Sequence, residues 1–233
     1  DYSQQEPRLV VHYANKVGLE GSQKLLDAYQ NDKNTDFHTI MAEIAKIPRK
    51  SAKTINLGLF YGMGVGKLSD QLGIEPGEAK SLINQYNERV PFVRQLADRV
   101  SDHAQKKGRV KTILGRQCRF DLWEPKSFGA HKAYPYDKAV EEYGSNIGLK
   151  RAGTYKALNR LIQGSAADQI KKAMVELYKE GVIPMIQIHD ELAISMENDS
   201  KKDKIIEIME NCLDMEIPSK VDLAIGNNWG EAK

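Results

Sequence analysis

The chain has 233 residues, 41% hydrophobic and 28% charged, which suits a globular protein with one large core or two small ones. No apolar run approaches the ~18 residues of a membrane helix, the first residues do not read as a secretory leader, and the longest apolar run, GVIPMIQI, is short and carries Pro184 and Gln187. Cys118 and Cys212 lie far apart without a C-x-x-C pair, which argues against structural zinc and for a reducing, cytoplasmic compartment. The net charge of +2 is uninformative as a total. RKSAK, QKKGRVK, LGRQCR and GLKRAGTYK are locally basic and point weakly to phosphate, and a solvated mixed-charge surface is the commoner reason for such clusters.

In chain order, residues 6–17 read as a helix from the spacing of Leu9, Val10, Tyr13, Ala14 and Val17, stopped by Gly18. SQKLLDAYQ is a second short helix, and DFHTIMAEIAKI a third with Asp36 as its N-cap. A helix over 49–61 follows Pro48 and is stopped by the glycines of YGMGVGK. KLSDQLGI and EPGEAKSLINQYNERVP read as two helices with Pro76 in a first turn, and residues 91–108 as another ending at Gly108. RVKTILGRQCRFD predicts a hairpin. Residues 121–150, rich in Pro, Gly, aromatic and charged residues, read as an ordered loop. Helix is expected from about 151 to 181, then a hairpin in IPMIQIHDELAISME, a surface helix from 199, and a final strand in SKVDLAIGNNWG. The order is α+β, with most helices ahead of a small antiparallel sheet.

Three places carry chemistry. Asp190 and Glu191 sit at a hairpin tip, where acids are either turn chemistry or a rigid oxygen site for Mg²⁺. Near the start, Ser3 and Glu6 have capping-box spacing, while Pro7 suits equally a helix that starts nearer Glu6 and frees its carboxylate, and the two readings stand even. Arg49, Lys53, Leu57 and Tyr61, four apart, form one stripe along a helix. Two cations, an apolar residue and an aromatic in that order suit a nucleoside triphosphate laid lengthwise, and a snorkelling surface helix would show the same spacing.

Taken together, DYSQQEPR, RKSAKTINLGLFYG and QIHDEL resemble motifs A, B and C of family A DNA polymerases, the bacterial DNA polymerase I type. LNRLIQGSAADQIKKAM and the closing IGNNWGEA are similar to the helix before motif C and to the C-terminal strand. The resemblance runs the length of the chain. It implies a right-hand palm with a large helical fingers insertion: palm at 1–14, fingers at 15–150, palm again at 151–233. It also implies that the thumb and part of the palm precede Asp1, so that the chain is a fragment or one piece of a split gene, without a thumb or proofreading nuclease and inactive alone.

The implied reaction joins dNTPs to a primer 3′-hydroxyl on primer–template DNA with two Mg²⁺ ions. Asp1 and Asp190 match the metal-bridging aspartates, Tyr2 a carbonyl ligand and Glu191 a secondary acid. Arg49 and Lys53 match the triphosphate cations, with Lys53 also the general acid to pyrophosphate. Glu6 matches the steric gate against ribose, Tyr61 the residue beside the templating position, and Leu57 the position facing the sugar. Arg8, Asn159, Gln163 and His189 match contacts to the primer–template. Leu57 stands where Phe or Tyr is usual, Gln5 and Pro7 replace an apolar pair, and Tyr155 falls where a DNA-contacting arginine is frequent, departures that fit a phage-encoded member. Glu6 argues against a single-subunit RNA polymerase, and the presence of both aspartates against a non-catalytic nucleic-acid-binding remnant.

Overall fold

The structure, a computed structural model, describes residues 1–127 and 129–232. The α+β expectation holds: the described residues form ten α-helices and three small antiparallel sheets. Seven helices come first, α1 (Gln5–Lys16), α2 (Ser22–Asn31), α3 (Phe37–Ala45), α4 (Arg49–Tyr61), α5 (Val65–Leu72), α6 (Pro76–Arg89) and α7 (Pro91–Lys107). A hairpin of β1 (Arg109–Lys111) and β2 (Gln117–Arg119) follows. After residues 122–151 come α9 (Ala157–Lys179), the hairpin β6 (Pro184–Ile188) and β7 (Glu191–Ile194), and α10 (Lys202–Asn211).

Local chemistry sets the boundaries. The Asp36 side chain accepts from the His38 and Thr39 N–H groups and so starts α3. Helix α4 begins after Pro48 and ends on Gly62 in the left-handed conformation. Pro76 and Pro91 occupy first turns, where a missing N–H costs no bond.

Two expectations are corrected. Residues 121–150 are not a loop: β3 (Leu122–Pro125) pairs with β4 (Tyr134–Pro135) and with β5 (Leu149–Arg151), and α8 (Tyr136–Tyr143) intervenes. Strands this short carry little periodicity, and their pairing is non-local. The final strand reduces, among the described residues, to one bridge, Tyr2 to Val221. The choice left open at Glu6 is decided against the capping box: α1 starts at Gln5, and its N-cap is Gln4 at φ 52° without a side-chain bond. Pro7 is then the third helical residue, where its missing N–H costs nothing.

Helix α9 is the spine, with 23 residues spanning about 34 Å. Leu158 and Ile162 enter the large core with Leu9, Val10 and Ala14 of α1. Ala157 and Leu161 meet Val110 and Phe120 of the first hairpin. Ile170, Ala173 and Leu177 join Tyr2 and Met209 in a second core beneath β6–β7. At Gly164 the hairpin comes so close that a Cβ would lie 2.6 Å from Thr112 Cγ2.

The large core holds a polar network. Asn56 of α4, fully buried, receives a bond from the Tyr86 hydroxyl of α6 and contacts His38 Nδ1 of α3 at 3.1 Å. Burial holds the His38 imidazole down at about 4, with Lys53 and Arg49 adding to the depression and Asp36 opposing it. The unfolded chain therefore binds a proton near pH 6.5 that the folded chain refuses until about pH 4. The stability His38 contributes is complete above pH 6.5 and drains away as pH falls through that window, by about 3 kcal/mol. Urea unfolding at steps between pH 7 and 4 should show this slope, and His38→Asn, which keeps an acceptor for Asn56 but cannot charge, should lessen it, leaving the part due to the buried His12.

Candidate active site

The N-terminal stretch is pinned on both sides. Asp1 and Asp222 exchange backbone bonds of 3.2 and 2.9 Å, the Ser3 N–H donates to the Lys220 carbonyl at 2.9 Å, and the Tyr2 N–H donates to the Asp190 carbonyl at 3.2 Å. The Tyr2 side chain is buried, and its hydroxyl donates to the Met209 carbonyl at 2.6 Å. These bonds bring Asp1 beside the β6–β7 turn that carries Asp190. His189, at φ 52°, supplies the tight reversal there. Glu191 accepts from Trp229 Nε1 at 2.9 Å, a tie between the turn and the C-terminal stretch that the sequence did not suggest.

Glu6 lies one turn into the chain from these acids. The Tyr61 hydroxyl at the end of α4 donates to Glu6 Oε2 at 2.8 Å, so the two ends of the predicted constellation meet. Burial raises the Glu6 carboxyl and the charge of Asp190 raises it further, against the hydrogen bonds of Tyr61 and Gln163. Burial and the bond to Glu6 push the Tyr61 phenol up to about 12. Gln163 of α9 thus faces both groups, and Asn159 lies one turn before it.

The other stripe residues divide. Lys53 is exposed and in no ion pair among the described residues. Arg49 is held by Asp36, with Nη2 and Nε at 2.6 and 3.1 Å from Oδ2. Leu57 is half-buried and packs on the large core. A cleft of about 620 Å³ opens beside Asp1 and Glu191, but no stripe residue lines it.

Arg8 is a correction. Its side chain is 2% exposed. Nε donates to the Ser3 carbonyl at 2.9 Å, Nη1 to Pro218 at 2.7 Å and Nη2 to Lys33 at 2.6 Å, and its guanidinium lies 4.6 Å from the Tyr29 ring centroid. It cannot reach DNA and is an internal clamp. Gln5, also a departure from the apolar pattern, is buried with its amide on Gln169 Oε1 at 3.0 Å, and Gln169 donates onward to Ser219 at 2.8 Å. The substituted polar group is thereby satisfied.

A profile of DNA polymerase family A matches residues 1–231. The chain belongs to DNA polymerase family A. It is 37% identical to a DNA-directed DNA polymerase of Pseudomonas phage M6, over all of this chain and 38% of that protein. It is 32% identical to DNA polymerase I of Pseudomonas aeruginosa, over all of this chain and 24% of that protein. Among solved structures, the POL domain of Pol1 from M. smegmatis in complex with DNA primer–template and dNTP superposes with a TM-score of 0.76 at 30% identity, covering all of this chain and 39% of that one. The chain thus spans less than two-fifths of these family A relatives. No helix among its described residues is long and apolar enough to cross a membrane.

Replacing Arg8 tests the clamp. Lysine keeps the charge but cannot bond three divergent carbonyls at once. Arg8→Lys should cost about 3–5 kcal/mol in urea unfolding, far beyond the change at an exposed arginine such as Arg94.

Proposed function

We propose that this chain carries the nucleotidyl-transfer centre of a template-directed DNA polymerase. Residues 1–14 and 151–233 form the palm and 15–150 the fingers, acting on dNTPs and primer–template DNA. The observation that supports it most is the convergence of Asp1, Asp190 and the Glu6–Tyr61 pair at one end of α4, with Lys53 two turns back along the same helix.

Asp1, Asp190, Glu191 and the Tyr2 carbonyl are the oxygen donors that would hold Mg²⁺. Among the described residues no three or more His, Cys, Asp or Glu side chains converge. One or two of these carboxylates would therefore bind Mg²⁺ only with carbonyls, water and substrate phosphate completing its shell. A bound pair of Mg²⁺ ions would activate the primer 3′-hydroxyl and neutralise charge on the α-phosphate and pyrophosphate.

The protein's own residues do the rest. Lys53, exposed, meets the phosphates and carries the proton the departing pyrophosphate takes up. Arg49 would exchange Asp36 for phosphate oxygens. Leu57 offers the sugar an apolar edge, and Tyr61 stands at the base end of the stripe. Glu6, held against Tyr61, fills the space of a ribose 2′-hydroxyl. Asn159 and Gln163 reach the primer–template from α9, and His189 the primer end from the hairpin tip.

In the protein at its full native length, Asp190→Asn should lower primer extension by several orders of magnitude while leaving duplex affinity within about threefold, since phosphate contacts dominate that affinity. Extension near the parental rate would remove Asp190 from the centre. Glu6→Ala should raise ribonucleotide use relative to deoxynucleotide use by about tenfold or more, as opening a pocket by a few atoms does. Glu6→Gln, equal in size, should not. Competing the two substrates in single-nucleotide extension reads the ratio directly.

A further inference from the structure

Tyr155 occupies the 3₁₀ turn Thr154–Lys156 that leads into α9, and its side chain is 62% exposed. Its backbone is fixed from two sides. A Cβ on Gly62, the left-handed residue that ends α4, would lie 3.1 Å from the Tyr155 carbonyl oxygen and 3.2 Å from ring carbon Cδ2. Only glycine allows α4 to end this close at φ 68° without displacing the turn. From beneath, the Gln105 amide donates to Thr154 Oγ1 and to the Arg151 carbonyl, each at 2.7 Å. The turn is anchored while the ring faces outward.

The surroundings say what the ring could meet. Tyr155, Asn159 and Gln163 follow at four-residue steps, a line of about 12 Å that ends where Gln163 faces Glu6 and Tyr61. The α4 stripe has a direction. Its cations Arg49 and Lys53 lie toward the start and Tyr61 at the end, so a triphosphate laid on it would put its base at Tyr61. Gly62 and Tyr155 lie just past that end. Beyond the base of an incoming nucleotide comes the template strand. Lys156 Nζ sits 5.3 Å from the Tyr155 ring centroid, and the exposed Arg160 is stacked on Phe120 at 4.7 Å. Lys156 thus covers one face of the Tyr155 ring, and Arg160 also donates to the Arg119 carbonyl at 3.1 Å, but neither cation is in an ion pair among the described residues. An exposed flat ring with unpaired cations near it is a combination that holds single-stranded nucleic acid, a base on the ring's open face and the cations turned to the adjoining phosphates.

We infer that the Tyr155 ring is a stacking seat for an unpaired template base ahead of the primer terminus, with Lys156 and Arg160 on the neighbouring phosphates. The inference rests on the polymerase reading above. The experiment places 2-aminopurine at the first unpaired template position and measures its fluorescence and binding with the protein at its full native length. Parent and Tyr155→Phe should quench the probe. Tyr155→Leu, which keeps an apolar side chain but no flat face, should lose most of the quenching. It should also bind the overhanging primer–template roughly 5- to 100-fold more weakly, with blunt-duplex affinity and thermal melting unchanged. Equal quenching and affinity in parent and Tyr155→Leu, with primer extension intact, would overturn the stacking seat and leave the polymerase reading standing. A parent protein that binds and extends no primer–template would overturn both.

Discussion

A guanidinium withdrawn from water is stable only if its donors find acceptors, and the geometry of this site depends on how Arg8 solves that problem. Its acceptors are carbonyls from three stretches distant in sequence, at Ser3, Lys33 and Pro218. The charge is balanced at longer range by Glu210 and Asp222, and the Tyr29 ring lies beneath it. Ser3 is two residues from Asp1, and Pro218 lies just before the segment that pairs with Tyr2. One buried cation thus fixes the entry to α1, the turn before α3 and the approach of the C-terminal segment together. The aspartate at the start of the chain is positioned by backbone bonds that this clamp keeps in register.

Around it the fold separates positioning from chemistry. The groups that hold the frame are buried and fully occupied: Arg8, the Gln5–Gln169–Ser219 chain, and the His38–Asn56–Tyr86 network. The groups with capacity left for a ligand, Asp1, Lys53 and His189, are exposed. Arg49 stands between, exposed yet bound to Asp36. A phosphate must compete with a carboxylate for it, whereas Lys53 is free to engage at once.

Much of this was legible beforehand. The bounds of α4 were read correctly because Pro48 and Gly62 punctuate them, and Asp36 caps α3 as its type predicts. The meeting of Glu6 and Tyr61 was not written in either local segment. Spacing placed Tyr61 on a stripe and left Glu6 open between cap and free carboxylate, and only the resemblance put both at one substrate. Arg8 was misread because the resemblance alone placed it among the DNA contacts, while its burial depends on residues 25 and 210 positions away. The β3–β4–β5 sheet escaped for a related reason. Its strands have two to four residues each, and what stabilises them is Trp123 between Arg151 and Tyr136, contacts set by the tertiary fold.

The close seat of Gly164 against Thr112 has a mechanical consequence. With no side chain between them, the β1–β2 hairpin rests on the backbone of α9, and Arg116 adds a bond to the Gly164 carbonyl and an ion pair to Asp168. There is no slack for sliding or tilting at this contact. Hairpin and helix form one lever, with the arginines of the strands at one end and Gln163, beside Glu6, near its fulcrum. Arg109 and Arg119 are thereby coupled to the middle of α9 through Thr112, Arg116 and the Gly164 backbone.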